Sequence, residues 1–169
     1  QITDSVIRNA VNKLPPEIFP LSGEKIIRKL ISRRDHLDKE AIKYYKFISR
    51  KVNVIGSNQK EYFKVSTHND SLRVRVYERG RGNDTSFIMY TRTFDPAVTK
   101  EIRLFGLNDQ DVFDIDENVS SRIKLRIIGG KDNDTFNIRG NIKNIIYDKL
   151  SDVNYIKNKS HTKNKFSAD

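Results

Sequence analysis

Residues 127–138 read IIGGKDNDTFNI, a pattern that predicts two short apolar strands around a glycine-opened, acid-rich turn. The same pattern occurs at residues 104–115 as LFGLNDQDVFDI, at an offset of 23 residues (106 to 129 for the first glycine). A looser third copy lies at 54–65, VIGSNQKEYFKV, in which Glu61 takes the place of the aspartate. A fixed period of about 20 to 50 residues is typical of architectures in which successive turns of chain stack on one another.

Stacking of these copies predicts an apolar interior and charged outward columns. Neighbouring strands of a sheet lie about 4.8 Å apart, so equivalent residues of stacked copies become neighbours. Phe113 and Phe136 are therefore expected to meet in the core. On the outer side Arg103 would lie against Arg126, and this like-charge contact predicts an acidic neighbour, either within the fold or on a partner.

Four aspartates of the turns fall into the same outward columns, Asp109 with Asp132 and Asp111 with Asp134. Two interpretations are open for them. In the first, the carboxylates accept hydrogen bonds from turn amides and stay solvated. In the second, they hold a calcium ion between the turns, because calcium takes several oxygen ligands. These four residues are thus the candidate metal ligands, and calcium is the one candidate cofactor.

Residues 1–51 predict a helical N-terminal part. Thr3 is a candidate N-cap for a short helix that ends before the prolines at 15–16, because a residue before proline avoids the helical conformation. Ser22 is a candidate N-cap for a long helix running to about residue 50, with a surface turn or kink at Arg34. The apolar stripe of this helix predicts that it packs on the sheet region that follows.

From residue 52 the hydrophobic period changes from helical to alternating, which predicts a β region over 52–148. Within it, 71–93 forms a predicted β-hairpin around a turn at 80–84, inserted between the copies. Residues 149–169 are polar and basic, and predict an extended or disordered exit linker. The predicted strands are 52–55, 62–66, 71–78, 86–93, 99–105, 112–116, 122–128, 135–138 and 144–147.

The predicted fold is therefore α+β. N-terminal helices, one of them long, pack on a short β-solenoid-like region of stacked strands that is built from the 23-residue repeats and carries the inserted hairpin.

Composition and charge exclude several classes of function. The 169 residues include no cysteine and no apolar run long enough to cross a membrane. The net charge of +10 is concentrated at the two ends: +6 over 1–51 (12 − 6), +1 over 52–148 (15 − 14) and +3 over 149–169 (5 − 2). The basic groups do not gather along one reading element, so nucleic acid is not an expected partner. With neither an initiator methionine nor a signal-peptide pattern, we expect a piece of a longer protein.

The sequence offers few candidate catalytic residues. The three histidines lack metal-binding spacing, and no nucleotide-binding or nucleophile motif occurs. We therefore expect that this chain is not an enzyme. The enzymatic alternative is a carbohydrate-active β-helix that carries acids and bases on one outer face. Its residues would be Asp114, Asp116, Arg103, Arg126 and Lys124.

Residues 129–137, GGKDNDTFN, resemble the calcium-binding nonapeptide of RTX proteins, glycine-glycine-x-glycine-x-aspartate-x-apolar-x. Gly129, Gly130, Asp134 and Phe136 match, whereas Asp132 stands in place of the third glycine. The copies lie 23 residues apart (106 to 129) and are not adjacent nonapeptides, so the tandem roll that builds the RTX calcium cages is not expected. The resemblance nevertheless implies calcium binding.

Six motifs carry a wider resemblance: LPPE at 14–17, LSGE at 21–24, RRD at 33–35, TFDP at 93–96, KEIRLFGL at 100–107, and the turn at 127–138. With them the chain resembles a connecting region of Bacteroidota envelope proteins. In these proteins a calcineurin-like metallophosphoesterase domain precedes the region, and an outer-membrane surface-antigen-type β-barrel follows it.

This resemblance implies a periplasmic or outer-membrane-associated location and a structural role as spacer or docking element. The expected partners are the neighbouring domains of the parent protein, with a membrane surface as a further contact for the basic ends. Two alternatives stay open, a calcium-binding β-repeat module and an accessory region of a metallophosphoesterase parent.

Overall fold

The computed structural model describes residues 2–80, 85–149, 155–158 and 162–167. The chain is α+β, with one long helix and two β-sheets. It divides into two compact units, Gln1–Phe47 and Ile48–Asp169. Across the described ranges, neither helix combines the length and the apolar character that a membrane span requires.

Helix α1, Asp4–Val11, opens the first unit. The side chain of Thr3 accepts a hydrogen bond from the backbone N–H of Val6 at 3.3 Å, so the predicted N-cap is confirmed. A small core of buried residues joins α1 to the second helix: Ile7, Val11 and Ile27.

A π-helical turn, Phe19–Gly23, runs directly into helix α2, Glu24–Ile48. The prediction that Ser22 caps this helix is wrong, because the chain is already helical at that point. The hydroxyl of Ser22 instead donates to the carbonyl of Ile18 at 3.4 Å.

Arg34 lies within α2, which continues through it, so the predicted surface turn is wrong. Its guanidinium forms ion pairs with Asp4 at 2.6 Å and with Asp35 at 2.7 Å. These contacts explain why a charged residue interrupts the apolar spacing without interrupting the helix. The packing of α2 on the β region stays a prediction.

The second unit contributes eleven strands to the described residues. They are β1 Lys51–Ile55, β2 Glu61–His68, β3 Ser71–Glu78, β4 Ile88–Phe94, β5 Glu101–Leu107, β6 Val112–Ile115, β7 Ser120–Gly130, β8 Thr135–Ile138, β9 Asn141–Lys149, β10 Tyr155–Asn158 and β11 Thr162–Ser167. Strands β1 to β9 each overlap one predicted strand.

The strands form two sheets. Sheet A has the order β1-β5-β7-β9-β11 and is parallel throughout. Sheet B has the order β10-β8-β6-β2-β3-β4, in which β3 and β4 are antiparallel to their neighbours and the other pairs are parallel. From β4 onwards the chain alternates between the sheets at every strand. The pairing of β3 with β4 confirms the hairpin at 71–93; apart from Gly80, its turn lies outside the described residues.

The core lies between the two sheets, where the inward residues of successive strands meet. Phe63 pairs with Phe113, and Phe113 pairs with Phe136. These three rings are fully buried and stacked, with centroids 4.7 and 5.3 Å apart. The predicted contact of Phe113 with Phe136 is confirmed, and burial of each ring contributes roughly 1.5–3 kcal/mol.

The described residues of 149–169 contradict the predicted exit linker. Strand β10 pairs with β8 and strand β11 pairs with β9, so both sheets continue into this range. Backbone hydrogen bonds pair strands whatever their side chains, and each of these strands needs only one residue on the core. Ile156 and Phe166 supply these contacts within an otherwise polar sequence.

Candidate functional site

Three carboxylates, one from each copy of the turn, are buried: Glu61 is 0 % exposed, and Asp111 and Asp134 are each 1 % exposed. Each lies next to the start of a sheet B strand, directly after the turn that leaves sheet A. The prediction that Asp111 and Asp134 face outward is therefore wrong. Burial of a charged group requires hydrogen bonds or neutralisation, and the turns supply hydrogen bonds.

These carboxylates form a ladder with the backbone. Asp134 accepts the N–H of Asp111 through Oδ1 at 2.8 Å, and Asp111 accepts the N–H of Glu61 through Oδ1, also at 2.8 Å. Each aspartate thus accepts a hydrogen bond from the backbone amide of the equivalent acidic residue in the preceding turn. We call Glu61, Asp111 and Asp134 the carboxylate ladder. For Asp111 and Asp134, the first interpretation holds for the hydrogen bonds to amides but not for solvation.

The glycine of each turn makes room for the ladder. A β-carbon at Gly106 would collide with Oδ2 of Asp111, and one at Gly129 would collide with Oδ2 of Asp134. At Gly56 a β-carbon would lie 2.6 Å from Oε2 of Glu61. The carboxylate of each turn thus occupies the space that a β-carbon at the glycine would need, which explains why the glycine and the acid recur together.

Burial raises the pKa of Asp111 to about 8. The N–H of Glu61 opposes this shift, whereas the negative charges of Glu61 and Asp134 add to it. Within the described part of the chain, Oε2 of Glu61 and Oδ2 of Asp111 have no hydrogen-bond donor. A proton on Asp111 relieves the repulsion between these two carboxyl groups, so the ladder is suited to holding one.

Asp109 and Asp132, the other two candidate calcium ligands, lie in the turns themselves. Both have left-handed backbones, with φ of 68° and 75°. Oδ2 of Asp132 accepts the N–H of Asp109 at 3.1 Å. The four aspartates therefore form two separate layers, one in the turns and one buried in the ladder. Among the residues that the structure describes, no three acidic or histidine side chains converge as metal ligands; calcium stays a prediction.

On the outer face of sheet A, Glu101 lies between two arginines. Its carboxylate is 2.8 Å from Nε of Arg103 and 2.9 Å from Nε of Arg126, and Lys124 is 3.9 Å away. Burial opposes its ionisation, but the two guanidinium groups outweigh burial and lower the pKa of Glu101. The predicted acidic neighbour of the stacked arginines is thus found within the fold.

On the outer face of sheet B, Asp114 is the centre of a second polar cluster. It accepts a hydrogen bond from the hydroxyl of Tyr62 at 2.6 Å and from Arg139 at 2.9 Å. Asp116 extends the cluster, 3.2 Å from Arg139 and 3.5 Å from Lys64.

The five residues of the predicted carbohydrate-active face are therefore divided between the sheets. Asp114 lies in strand β6 of sheet B and Asp116 directly follows that strand, whereas Arg103, Lys124 and Arg126 lie in sheet A. The chain turns from one sheet to the other between these groups. The structure does not bring the five side chains together.

Sequence reasoning missed an aromatic pair on sheet B. Tyr62 and Tyr77 lie opposite each other on β2 and β3, with ring centroids 6.1 Å apart. Both occupy the outward positions of alternating strands, and this alternation is the signal that could have found them. Only the antiparallel register shows that they are neighbours.

Comparisons with protein-family models, with curated proteins and with solved structures find no match for this chain. Its geometry defines an α+β protein whose two sheets, parallel over most of their strands, enclose a carboxylate ladder.

Proposed function

We propose that this chain is a non-catalytic structural module of a larger cell-envelope protein, which spaces or docks the neighbouring domains. The observation that carries the proposal is the continuity of its two sheets. In each sheet a strand of one turn pairs in parallel with a strand of the next, and the core residues of successive turns meet. A stack of this kind transmits force and position along its axis.

The stack is a short β-solenoid-like region, and its turns are the 23-residue repeats. The pairing of Leu104 with Ile127 and of Phe113 with Phe136 supports this, since each pair is 23 residues apart (127 − 104; 136 − 113). The hairpin enters between the first two copies, which explains their longer separation of 50 residues (106 − 56).

Stiffness comes from three sets of contacts in the same turns. Backbone hydrogen bonds link the strands, the phenylalanine rings stack between the sheets, and the carboxylate ladder joins one turn to the next. Each set repeats along the stack, so bending it would disturb all three together.

The location we propose is the periplasm, in association with the outer membrane. The support for it is the resemblance of six motifs of this chain to envelope connecting regions. The basic ends, +6 over 1–51 (12 − 6) and +3 over 149–169 (5 − 2), are suited to acidic surfaces of a neighbouring domain or to acidic lipid headgroups. The alternative is that this chain is an accessory region of a metallophosphoesterase parent.

The stiffness can be measured with two spin labels. Asn53 on β1 and Lys163 on β11 are exposed and lie in one column of sheet A, four strand spacings apart. The chain has no cysteine, so Asn53→Cys with Lys163→Cys labels only these sites. Pulsed electron spin resonance should give one narrow distance distribution around a backbone separation of about 19 Å.

The same labelled protein in denaturant provides the control and should give a broad distribution. A broad or two-peaked distribution in the folded protein would contradict a stiff spacer. The non-catalytic part of the proposal is tested by incubating the chain with phosphoester and glycoside panels. Turnover that co-purifies with the chain would overturn it.

Calcium binding is the second candidate function, and the short distance between the aspartates of two successive turns favours it. Asp109 and Asp132 come from successive turns and are already linked by a hydrogen bond. If calcium binds there, millimolar calcium should raise the Tm, and Asp109→Asn with Asp132→Asn should remove the rise. Magnesium at the same concentration is the control. An unchanged Tm in calcium would exclude this function.

A further inference from the structure

The antiparallel strands β2 and β3 present three rows of paired side chains on the outer face of sheet B. Tyr62 lies opposite Tyr77, Lys64 opposite Arg75, and Ser66 opposite Arg73. The alternate residues of both strands are buried in the core, so these six side chains share one surface. An aromatic row is thus followed by two rows that carry cations.

The cations of this surface are incompletely neutralised. Like charges directly opposite on paired strands are unfavourable, which makes the placement of Lys64 against Arg75 costly. Lys64 lies 3.5 Å from Asp116. Within the described ranges, neither Arg73 nor Arg75 forms an ion pair with a carboxylate. An anion from outside would remove the repulsion.

A groove of about 650 Å³ lies on this surface. Among the residues that the structure describes, those that line it are Tyr62, Lys64, Tyr77, Arg79, Thr85 and Val112. The Tyr62 hydroxyl donates a hydrogen bond to Asp114 at 2.6 Å, and this bond fixes the position of the ring in the groove wall. Asp114 is itself paired with Arg139 at 2.9 Å, so it repels an incoming anion only weakly.

This combination selects a ligand that has both an apolar ring face and a negative charge. Aromatic rings pack against C–H surfaces, and arginine forms paired hydrogen bonds with carboxylates. A polyphosphate chain fits less well. The whole β region, 52–148, has a net charge of only +1 (15 − 14), whereas binding of nucleic acid draws on a strong positive field.

We propose that the groove binds an acidic oligosaccharide, in which sugar rings pack on Tyr62 and Tyr77 and uronic carboxylates pair with Lys64 in the groove and with Arg75, which lies opposite Lys64 beside it. Such a site gives the structural module a ligand of its own. It does not depend on the stiffness of the stack or on the identity of the flanking domains.

Calorimetric titration of the whole chain with tetragalacturonate tests the proposal, at an ionic strength of about 0.15 M. Binding is expected, and Tyr77→Ala and Arg75→Gln should each weaken it about tenfold. Tyr77→Phe keeps the ring and should bind like the parent chain, which separates loss of the ring from loss of the fold. A thermal melt of each variant accompanies the titration.

Matched controls come from the rest of the β region. Tyr147→Ala removes a half-buried tyrosine from the outer face of sheet A, and Arg122→Gln removes an exposed arginine outside the groove. Both should bind tetragalacturonate as the parent chain does.

Four outcomes would overturn the proposal. The first is no heat with tetragalacturonate, and the second is equal binding of the neutral maltotetraose. The third is equal or tighter binding of tetrathymidylate, which would indicate a nucleic-acid surface. The fourth is unchanged affinity in both Tyr77→Ala and Arg75→Gln.

Discussion

Asp111 has its carboxyl group between the acids of the two adjacent turns, with the N–H of Glu61 as its hydrogen-bond donor. Its pKa of about 8 in the folded protein lies well above the ordinary value of 3.8. The folded state therefore holds the proton more tightly than the unfolded state does. Between these two values stability must fall as the pH rises, since the folded state is the one that keeps its proton.

We expect the free energy of unfolding to decrease by a few kcal/mol between about pH 4 and pH 8. Asp111→Asn should flatten this part of the profile, because asparagine retains an oxygen for the Glu61 amide without titrating. Chemical denaturation across the pH range measures the effect. Asp70→Asn, at an exposed aspartate, is the matched control and should keep the slope of the parent chain. A slope that survives Asp111→Asn would assign the pH dependence to other groups.

At the residue scale, the sequence predicts which side chains meet but not which acids are buried. Aspartate in a glycine turn is ordinarily solvated, and this expectation placed Asp111 on the outside. The missed signal is the constant five-residue spacing from glycine to acid in all three copies, as in Gly106 to Asp111 (111 − 106). A contact between the two residues explains that spacing, whereas a solvated turn does not require it.

At the scale of elements, Phe113 is the middle ring of the stack between the sheets. It contacts Phe63 on one side and Phe136 on the other, and all three rings are fully buried. We expect Phe113→Ala to lower the free energy of unfolding by about 3–5 kcal/mol, because it leaves a cavity that two strands cannot close.

Denaturation in urea at constant pH measures this loss. Phe87→Ala is the control, since Phe87 is 63 % exposed, and it should change stability by less than about 0.5 kcal/mol. Equal effects of the two substitutions would contradict the central position of the Phe113 ring.

Strands with strong alternation were predictable from the sequence, and β3 is found at the predicted residues. Strands β10 and β11 were not predictable in this way. Their sequences are polar on average, and only Ile156 in β10 and Phe166 in β11 indicate contact with the core. Ser22 was misassigned for a different reason. A serine before a helical pattern ordinarily begins a helix, but here Ser22 already lies inside the π-helical turn Phe19–Gly23.

At the scale of the whole molecule, the change of hydrophobic period separated a helical part from a β part. The structure likewise has a unit boundary at Phe47 and Ile48, close to the start of β1 at Lys51. The sequence predicted two strands in each copy but could not show that they belong to different sheets, because alternation of apolar residues does not say which strands pair. That missing pairing is also why acids and bases expected on one face lie on two.

The carboxylate ladder has a consequence for how the chain finds its native alignment. Parallel strands with similar sequences can slip past one another, and a slip of one residue moves every side chain to the opposite face. Here a slipped turn would press a carboxylate oxygen against a β-carbon and leave an amide of the next turn without its acceptor. The ladder therefore favours one alignment of the turns, and it does so through polar contacts that are separate from those of the apolar core.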